Sequence, residues 1–237
     1  KEDPLKVLKN ILERIISKNG ILLIPSFAVG RAQSLIYAFH KIFDSYPNLK
    51  IPMYLNSPMA SDVTELYEQY PDEHKLTKKQ YYNLFQDIHI VNSLDESKAL
   101  NQKTGPIIII SASGMLSGGR ILHHLKAYSA GENNAILLVG FQAPGTRGHN
   151  LQQGNRILKI HGQEYKVNAE VFEIDNLSAH ADQEELLKWL NSSSLEGIKK
   201  VFLVHGEKEA STEIEKIINE TLLLKTSIPS PGDKFDL

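Results

Sequence analysis

Three apolar runs, each followed by a turn and an amphipathic segment, most constrain how this chain folds. The runs occupy residues 21–24, 106–111 and 135–140, and shorter strand patterns occur at 51–55 and 88–91. A strand without alternating polar positions is buried on both faces, as in a parallel sheet covered by helices. The recurring order of strand, loop and helix therefore predicts an α/β fold with a doubly wound, mostly parallel sheet and right-handed crossovers.

Helical patterns fill the intervals between these strands. Apolar residues at helical spacing predict a helix over 5–16, and Ser93 with Glu96 forms a capping box for a shorter one. The polar, lysine-bearing segment 71–87 is expected to be an exposed excursion. The other predicted helices run from a turn at 25–31 to about residue 43, from 58 to 70, and from 119 to 128.

The pattern changes after residue 155. Segments 156–160 and 165–174 alternate apolar and polar residues on either side of His161-Gly162-Gln163, which predicts a hairpin. A shorter strand–helix segment then completes the chain. Its predicted elements are a helix over 182–190, a strand over 200–204 and a last helix over 210–224.

Composition excludes several classes of protein. The chain has 237 residues, a formal net charge of −2 and no cysteine. Disulfides and thiolate metal sites are therefore excluded, and no overall basic field attracts nucleic acid. Because no apolar run reaches membrane length and no signal-peptide pattern occurs, we expect a cytoplasmic protein with no membrane partner. The chain begins at Lys1 and enters a helical pattern almost at once, so we expect a fragment of a longer protein.

Two histidines stand in turn-like contexts near the end of the chain. His180 lies in the segment Ser-Ala-His-Ala-Asp, and His205 lies in Val-His-Gly-Glu. Each follows a short apolar stretch and precedes a helical pattern, which predicts a position at the carboxyl tip of a strand, where α/β proteins keep their chemistry. Two histidines cannot hold a catalytic zinc, which takes at least three protein ligands. From spacing alone, a structural role and a metal site both remain open.

Loops rich in glycine and serine follow three of the predicted strands. Glycines let a backbone approach a ligand closely, and N–H groups at a helix start attract anions. Segment 114–120 is the clearest example, and the turns at 26–31 and 56–58 occupy equivalent positions. Packing or capping roles are the alternatives for each loop, and Ser57 is a candidate N-cap. The candidate phosphate-binding residues are Arg31, Ser57, Ser113, Gly114, Gly118, Gly119 and Arg120.

Taken together, six segments resemble the β-CASP branch of the metallo-β-lactamase superfamily, whose members are nucleases that process RNA and DNA. The segments occur in family order across nearly the whole chain, and the bacterial single-chain type is the most similar. They are residues 23–33, 57–60, 111–119, 139–146, 178–182 and 204–207.

The resemblance implies an architecture and an activity. Residues 1–174 look like the β-CASP domain, an insertion within a metallo-β-lactamase fold, and residues 175–237 look like the segment that returns to that fold. The implied activity is zinc-dependent hydrolysis of RNA phosphodiester bonds, to which this chain supplies the substrate-binding domain and part of the active site. RNA is the expected partner, and DNA binding and homo-oligomer formation are left open.

The same resemblance assigns roles to the two histidines. His205 corresponds to a zinc ligand, and His180 corresponds to a catalytic group that assists protonation of the leaving oxygen. Two zinc ions are expected in the full-length enzyme. The family's His-x-His-x-Asp-His motif is absent from this sequence. We therefore expect the chain alone to hold no dinuclear zinc site and to be inactive.

Two other classes of function are weighed against the nuclease. One is a non-catalytic nucleic-acid-binding or scaffold member of the same family, against which the two retained histidines argue. The other is a small nucleotide-binding α/β domain. That class predicts a dinucleotide fingerprint and an acidic ribose contact, and the sequence contains neither.

Overall fold

The computed structural model describes residues 3–174, 181–192 and 196–235. The chain divides into two compact units, residues 1–179 and 180–237. In its described part, the first unit holds the large sheet with its covering helices. The second holds a two-stranded sheet and two helices.

The described residues of the first unit build a six-stranded parallel sheet and a separate hairpin. The strands of this unit are β1 (Ile21–Pro25), β2 (Met53–Asn56), β3 (Ile88–Ile90), β4 (Ile107–Ser111), β5 (Ala135–Val139), β6 (Ile157–Ile160), β7 (Gln163–Lys166) and β8 (Glu170–Ile174). The order across the sheet is β3-β2-β4-β1-β5-β8, and β6 pairs with β7 in the hairpin. Ile24 on β1 pairs with Ile110 on β4, and Leu23 pairs with Ile136 on β5. The predicted parallel α/β sheet is therefore confirmed.

Helices cover both faces of this sheet. They are α1 (Pro4–Ser17), α2 (Arg31–Ser45), α3 (Pro58–Gln69), α4 (Lys78–Gln86), α5 (Leu94–Leu100), α6 (Ile121–Tyr128) and α7 (Arg147–Gln152). Local sequence explains several of their ends. Asp3 caps α1 by accepting a hydrogen bond from Leu5 N, and the Ser93–Glu96 capping box starts α5 as predicted.

Side chains along each central strand alternate between two apolar cores. Leu22 and Ile24 enter the core that also contains residues of α1 and α2, whereas Ile21 and Leu23 enter the core with residues of α6. Helices that connect a strand to one nearer β3 cover the face with α1 and α2. Helices that connect a strand to one nearer β8 cover the face with α6. Opposite directions on opposite faces are what right-handed crossovers require.

The edge strand β8 is tied to α1 by charge. The Glu170 carboxylate accepts a hydrogen bond from Arg14 Nη2 at 2.9 Å and another from Lys18 Nζ, and it forms an ion pair with each of them. These hydrogen bonds hold the pKa of Glu170 below its usual value. The pairing anchors the first helix to the last strand of the sheet.

The structure adds to one expectation about elements and corrects another. The polar segment 71–87 is mostly exposed, as expected, and it also contains α4, which buries Leu84 in the core. The predicted second hairpin strand over 165–174 is two strands. Residues 163–166 pair with β6, and residues 170–174 join the large sheet beside β5.

The second unit is built from two helices and two very short strands in its described part. They are α8 (Gln183–Ser192), β9 (Val201–Phe202), α9 (Lys208–Ile217) and β10 (Thr226–Ser227). The two strands run parallel. The predicted strand over 200–204 is thus shorter than expected, and the last helix continues past α9 as a π-helical turn over residues 218–222.

None of the helices in the described part of the chain is long and apolar enough to cross a membrane.

Candidate nucleic-acid interface

Hydrogen bonds join the loops that follow β2, β4, β1 and β5 into one surface. We call this surface the carboxyl edge, and it comprises residues 26–31, 56–59, 112–120 and 140–146. Ser111 Oγ donates to Asn56 O at 2.8 Å, and Ser26 N donates to Ser111 O at 2.9 Å. Gln142 Nε2 donates to Gly114 O at 3.3 Å. The loops selected from the sequence therefore lie side by side.

The carboxyl edge contains a topological switch point. Strands β1 and β5 are neighbours, but β1 leads toward β2 on one side and β5 leads toward β8 on the other. In open α/β sheets, a crevice opens at the carboxyl ends of two such strands, and ligands bind there.

Arg31 lies beside this switch point, at the first residue of α2. A Cβ atom placed on Gly140, the residue after β5, would stand 2.9 Å from Arg31 Nη1. The whole residue is only 7% exposed, and Nη1 is buried without a hydrogen-bond partner. Burial lowers the pKa of the guanidinium, and no carboxylate among the described residues offsets that effect. A buried cation without a counter-charge is unfavourable, so this position favours an anion.

Ser113 closes the loop that follows β4. Its hydroxyl accepts hydrogen bonds from Ser117 N at 3.1 Å and from Gly118 N at 3.2 Å. It also lies 3.1 Å from the Ser117 hydroxyl. The serine therefore shapes the loop from within, and the structure joins Ser113 and Gly118 directly.

The three candidate glycines of this loop differ in what surrounds them. A Cβ atom on Gly114 would stand 2.9 Å from the Phe27 ring, and one on Gly119, at φ +79°, would stand 2.3 Å from Ala112 O. Nothing lies within 4 Å of the corresponding position at Gly118. Close packing thus explains Gly114 and Gly119, whereas Gly118 faces open space.

Arg120 is committed to hydrogen bonds within the protein. Its Nη1 donates to Asn56 Oδ1 at 2.8 Å and to Val91 O at 3.1 Å, and its Nη2 donates to Asn92 O at 2.8 Å. These bonds join the start of α6 to the ends of β2 and β3. Of the two arginines selected from the sequence, Arg31 is the one whose Nη1 has no hydrogen-bond partner.

Asn56 continues this network to a fully buried histidine. Its Nδ2 donates to Ser97 Oγ at 2.8 Å and lies 2.7 Å from His124 Nε2, while His124 Nδ1 lies 2.7 Å from Asn101 Oδ1. The bond from Arg120 makes Asn56 Oδ1 the acceptor, so Asn56 Nδ2 donates to Nε2 and His124 carries its proton on Nδ1. Burial, with smaller effects from His123 and Arg120, lowers the pKa of His124 to about 4. This network sets the shape of the carboxyl edge.

Ser57 has the capping role that was the alternative to phosphate binding. It is 5% exposed, and its hydroxyl accepts a hydrogen bond from Ala60 N at 3.3 Å at the start of α3. Its place at the carboxyl edge is therefore explained by the helix that it starts.

Of the two histidines expected in the active site, the described residues include His205 and not His180. His205 is exposed, follows β9 and adopts φ +63°. His180 lies outside the described residues. No group of three or more His, Asp or Glu side chains that could hold a metal occurs within residues 3–174, 181–192 and 196–235. The described residues thus do not make a zinc site by themselves.

Sequence reasoning missed Gln142 and His124. Gln142 is 2% exposed, and a Cβ atom on Gly148 would stand 1.7 Å from its Oε1, so Gln142 and Gly148 pack directly against each other. For every histidine other than His180 and His205 the sequence favours a surface position, and for His124, which is fully buried, that expectation is wrong. The available signal was its helical spacing, three residues after Ile121 and four before Tyr128, both of which are buried.

Comparison with protein families matches two segments of the chain. The family model of the Beta-Casp domain matches residues 32–151. The chain belongs to the β-CASP family. A second family model, of the Zn-dependent metallo-hydrolase RNA specificity domain, matches residues 164–229 of this β-CASP protein. That second match begins inside the first compact unit and includes strand β8.

Individual relatives of this β-CASP protein act on RNA or in transcription, as their names state. Ribonuclease TTHA0252 of Thermus thermophilus is 38% identical over 214 residues, which cover 88% of this chain and 48% of the relative. Transcription termination factor FttA of Pyrococcus horikoshii is 29% identical over 249 residues, which cover 100% of this chain and 38% of the relative. FttA of Pyrococcus abyssi is 30% identical over 252 residues, with the same coverage. The chain therefore spans half or less of the length of these relatives.

Proposed function

We propose that this chain is the RNA-binding part of a zinc-dependent ribonuclease that hydrolyses RNA phosphodiester bonds. The observation that carries the proposal is Arg31, a cation that is 7% exposed and has no counter-charge among the described residues. It lies at the switch point between β1 and β5, where the fold class places its ligands. Similarity to a ribonuclease supplies the class of anion, the phosphate groups of RNA.

The chemistry of Arg31 suits this role. A guanidinium remains charged when buried and presents N–H groups in a planar fork that matches two phosphate oxygens. Arg31 is also the first residue of a 15-residue helix, whose N-terminal dipole adds to the attraction of an anion. A bound phosphate would offset the unfavourable burial of the cation.

The other candidate residues divide into two groups under this proposal. Gly118 is open to a ligand, and Ser113 holds the N–H groups of its loop in place beside it. Ser57, Gly114, Gly119 and Arg120 act on RNA indirectly, because their contacts shape the carboxyl edge.

The zinc chemistry is assigned to the whole protein. We assign residues 1–174 to the β-CASP domain and 175–237 to the returning metallo-β-lactamase segment. Within that scheme, His205 is one zinc ligand and His180 is the group that protonates the leaving oxygen. The described residues supply no further ligand set, so the remaining ligands of two zinc ions belong to the remainder of a protein as long as its relatives.

Substitution of Arg31 in the full-length protein tests the phosphate contact. We expect Arg31→Ala to weaken binding of single-stranded RNA about tenfold and to reduce the dependence of binding on salt, because one phosphate contact is lost. Lys6→Ala removes one exposed positive charge from α1 and serves as the control. If the two variants bind RNA equally well, Arg31 does not contact phosphate.

Cleavage and metal content distinguish this proposal from a non-catalytic role. We expect the full-length protein to cleave labelled RNA, to contain two zinc ions and to lose both properties in His205→Ala. RNA binding without cleavage and without zinc would assign the protein to the binding or scaffold class. Cleavage of DNA in preference to RNA would overturn the proposed substrate.

A further inference from the structure

Four large apolar side chains are exposed within the carboxyl edge, the surface to which Arg31 also belongs. Each belongs to the carboxyl edge, and two of the four are aromatic. Their exposed fractions are 43% for Phe27, 66% for Val29, 64% for Met59 and 54% for Phe141.

The two aromatic residues flank the switch point. Phe27 belongs to the loop that leads from β1 to Arg31, and Phe141 directly follows Gly140, against which the Arg31 guanidinium packs. Phe27 is held in place by close packing of its ring against Gly114. A cation without a counter-charge is therefore accompanied by an aromatic ring on each of the two adjacent loops.

We propose that Phe27 and Phe141 stack on nucleobases of a single-stranded RNA while Arg31 holds a phosphate of the same strand. This inference rests on the proposed function and specifies how the carboxyl edge recognises its substrate. Aromatic rings stack on any base, whereas a cation beside them fixes the backbone. Bases within a duplex are already paired and stacked, so this arrangement selects a single strand over a duplex. Because stacking is largely independent of base identity, the same arrangement gives little sequence preference.

Charge complementarity favours RNA over a protein surface as the occupant. A protein segment that covered only the exposed phenylalanines would leave the Arg31 cation without an anion. A nucleic-acid strand supplies bases and phosphates together, at intervals of one nucleotide. The apolar rings and the buried cation are both matched by one molecule.

Phe141 is the better residue for a test, because Phe27 also packs against Gly114. In the full-length protein, we expect Phe141→Ala to weaken binding of a short single-stranded oligoadenylate about tenfold. The same substitution should leave unchanged the binding of an oligonucleotide with the same sugar-phosphate backbone and no bases. Phe141→Trp should keep the affinity for oligoadenylate. Leu66→Ala, which removes an exposed apolar side chain of α3 outside the carboxyl edge, should not alter it.

A spectroscopic signal tests stacking independently of affinity. We expect the fluorescence of 2-aminopurine within the bound strand to be quenched by the wild-type protein and by Phe141→Trp, and to be restored in Phe141→Ala. Equal losses in Phe141→Ala for the oligonucleotides with and without bases would overturn the inference, as would a loss of the same size in Leu66→Ala. If the wild-type protein binds neither oligonucleotide, or if Arg31→Ala binds both as tightly as the wild type, the proposed function fails instead.

Discussion

The side-chain amide of Asn56 lies 2.7 Å from Nε2 of His124, so an asparagine at the end of β2 fixes the protonation of a histidine on α6. Both residues are fully buried, and Arg120 orients the asparagine from the opposite side. The network thus joins Arg120, a candidate phosphate-binding residue in the sequence, to His124, for which the sequence favours a surface position. Its role is to hold the carboxyl edge in shape.

Acid should destabilise the protein through His124. Its pKa lies at about 4 in the folded state, against 6.5 for an ordinary histidine, so the unfolded chain binds the proton more tightly. The contribution of the neutral His124 to the free energy of unfolding is fully present above pH 6.5 and is lost as the pH falls from 6.5 toward 4. At about 1.4 kcal/mol per pH unit, the loss reaches about 3 kcal/mol. Urea unfolding at several pH values should show this loss in the wild type and a smaller one in His124→Gln. If the free energy of unfolding depends on pH equally in both proteins, His124 is not the group responsible.

Arg120→Ala should reduce stability. The change leaves Asn56 Oδ1, Val91 O and Asn92 O without the hydrogen bonds that they accept from Arg120. We expect the free energy of unfolding to fall by about 2 kcal/mol. Arg120→Lys should restore only part of the loss, because an ammonium lacks the planar fork. Denaturant midpoints of the two variants measure the effect. A wild-type midpoint in Arg120→Ala would show that these bonds contribute little.

Gly118 and Gly119 offer a matched pair of substitutions. Gly119→Ala forces a residue with a Cβ atom to φ +79° and places that atom 2.3 Å from Ala112 O, so we expect a loss of more than about 2 kcal/mol. Gly118→Ala meets nothing within 4 Å and should change stability by less than about 0.5 kcal/mol. Thermal unfolding of both variants provides the comparison, and equal melting temperatures would refute the distinction.

Glu170→Gln should loosen the attachment of α1 to β8. The change removes a carboxylate that pairs with both Arg14 and Lys18, and we expect a loss of about 1 kcal/mol that shrinks at high salt. Glu13→Gln, which breaks the exposed Lys9–Glu13 pair on one helix, is the control and should have a smaller effect. Unfolding in low and high salt tests both. A loss that does not depend on salt would argue against an electrostatic origin.

The 237-residue chain by itself should bind no stable pair of zinc ions and should not cleave RNA. His205 is one proposed ligand, and the described residues contain no cluster of three or more metal-binding side chains. Metal analysis of the purified chain after dialysis checks the first expectation, and incubation with labelled RNA checks the second. Two retained zinc ions per chain, or cleavage of the RNA, would overturn this prediction.

Where the sequence-based predictions of elements were wrong or incomplete, the missing information was a distant partner or an overlooked cap. Alternation over 165–174 is correct for strands, but it cannot show that residues 170–174 leave the hairpin and pair with β5. The polar composition of 71–87 correctly indicates exposure. It hides α4, which the Thr77–Gln80 capping box could have revealed.

The sequence by itself determined the parallel sheet, most of its helices and the family, because apolar periodicity and short motifs are local properties of the chain. Tertiary structure alone decided which arginine has its guanidinium bonded within the protein. Arg31 and Arg120 both follow glycine-containing loops at the start of helices, and local sequence does not separate them. The partners of Arg120 come from residues 28 to 64 positions away, brought to it by the order of the strands. Arg31 lies between β1 and β5, where no such partner is present among the described residues.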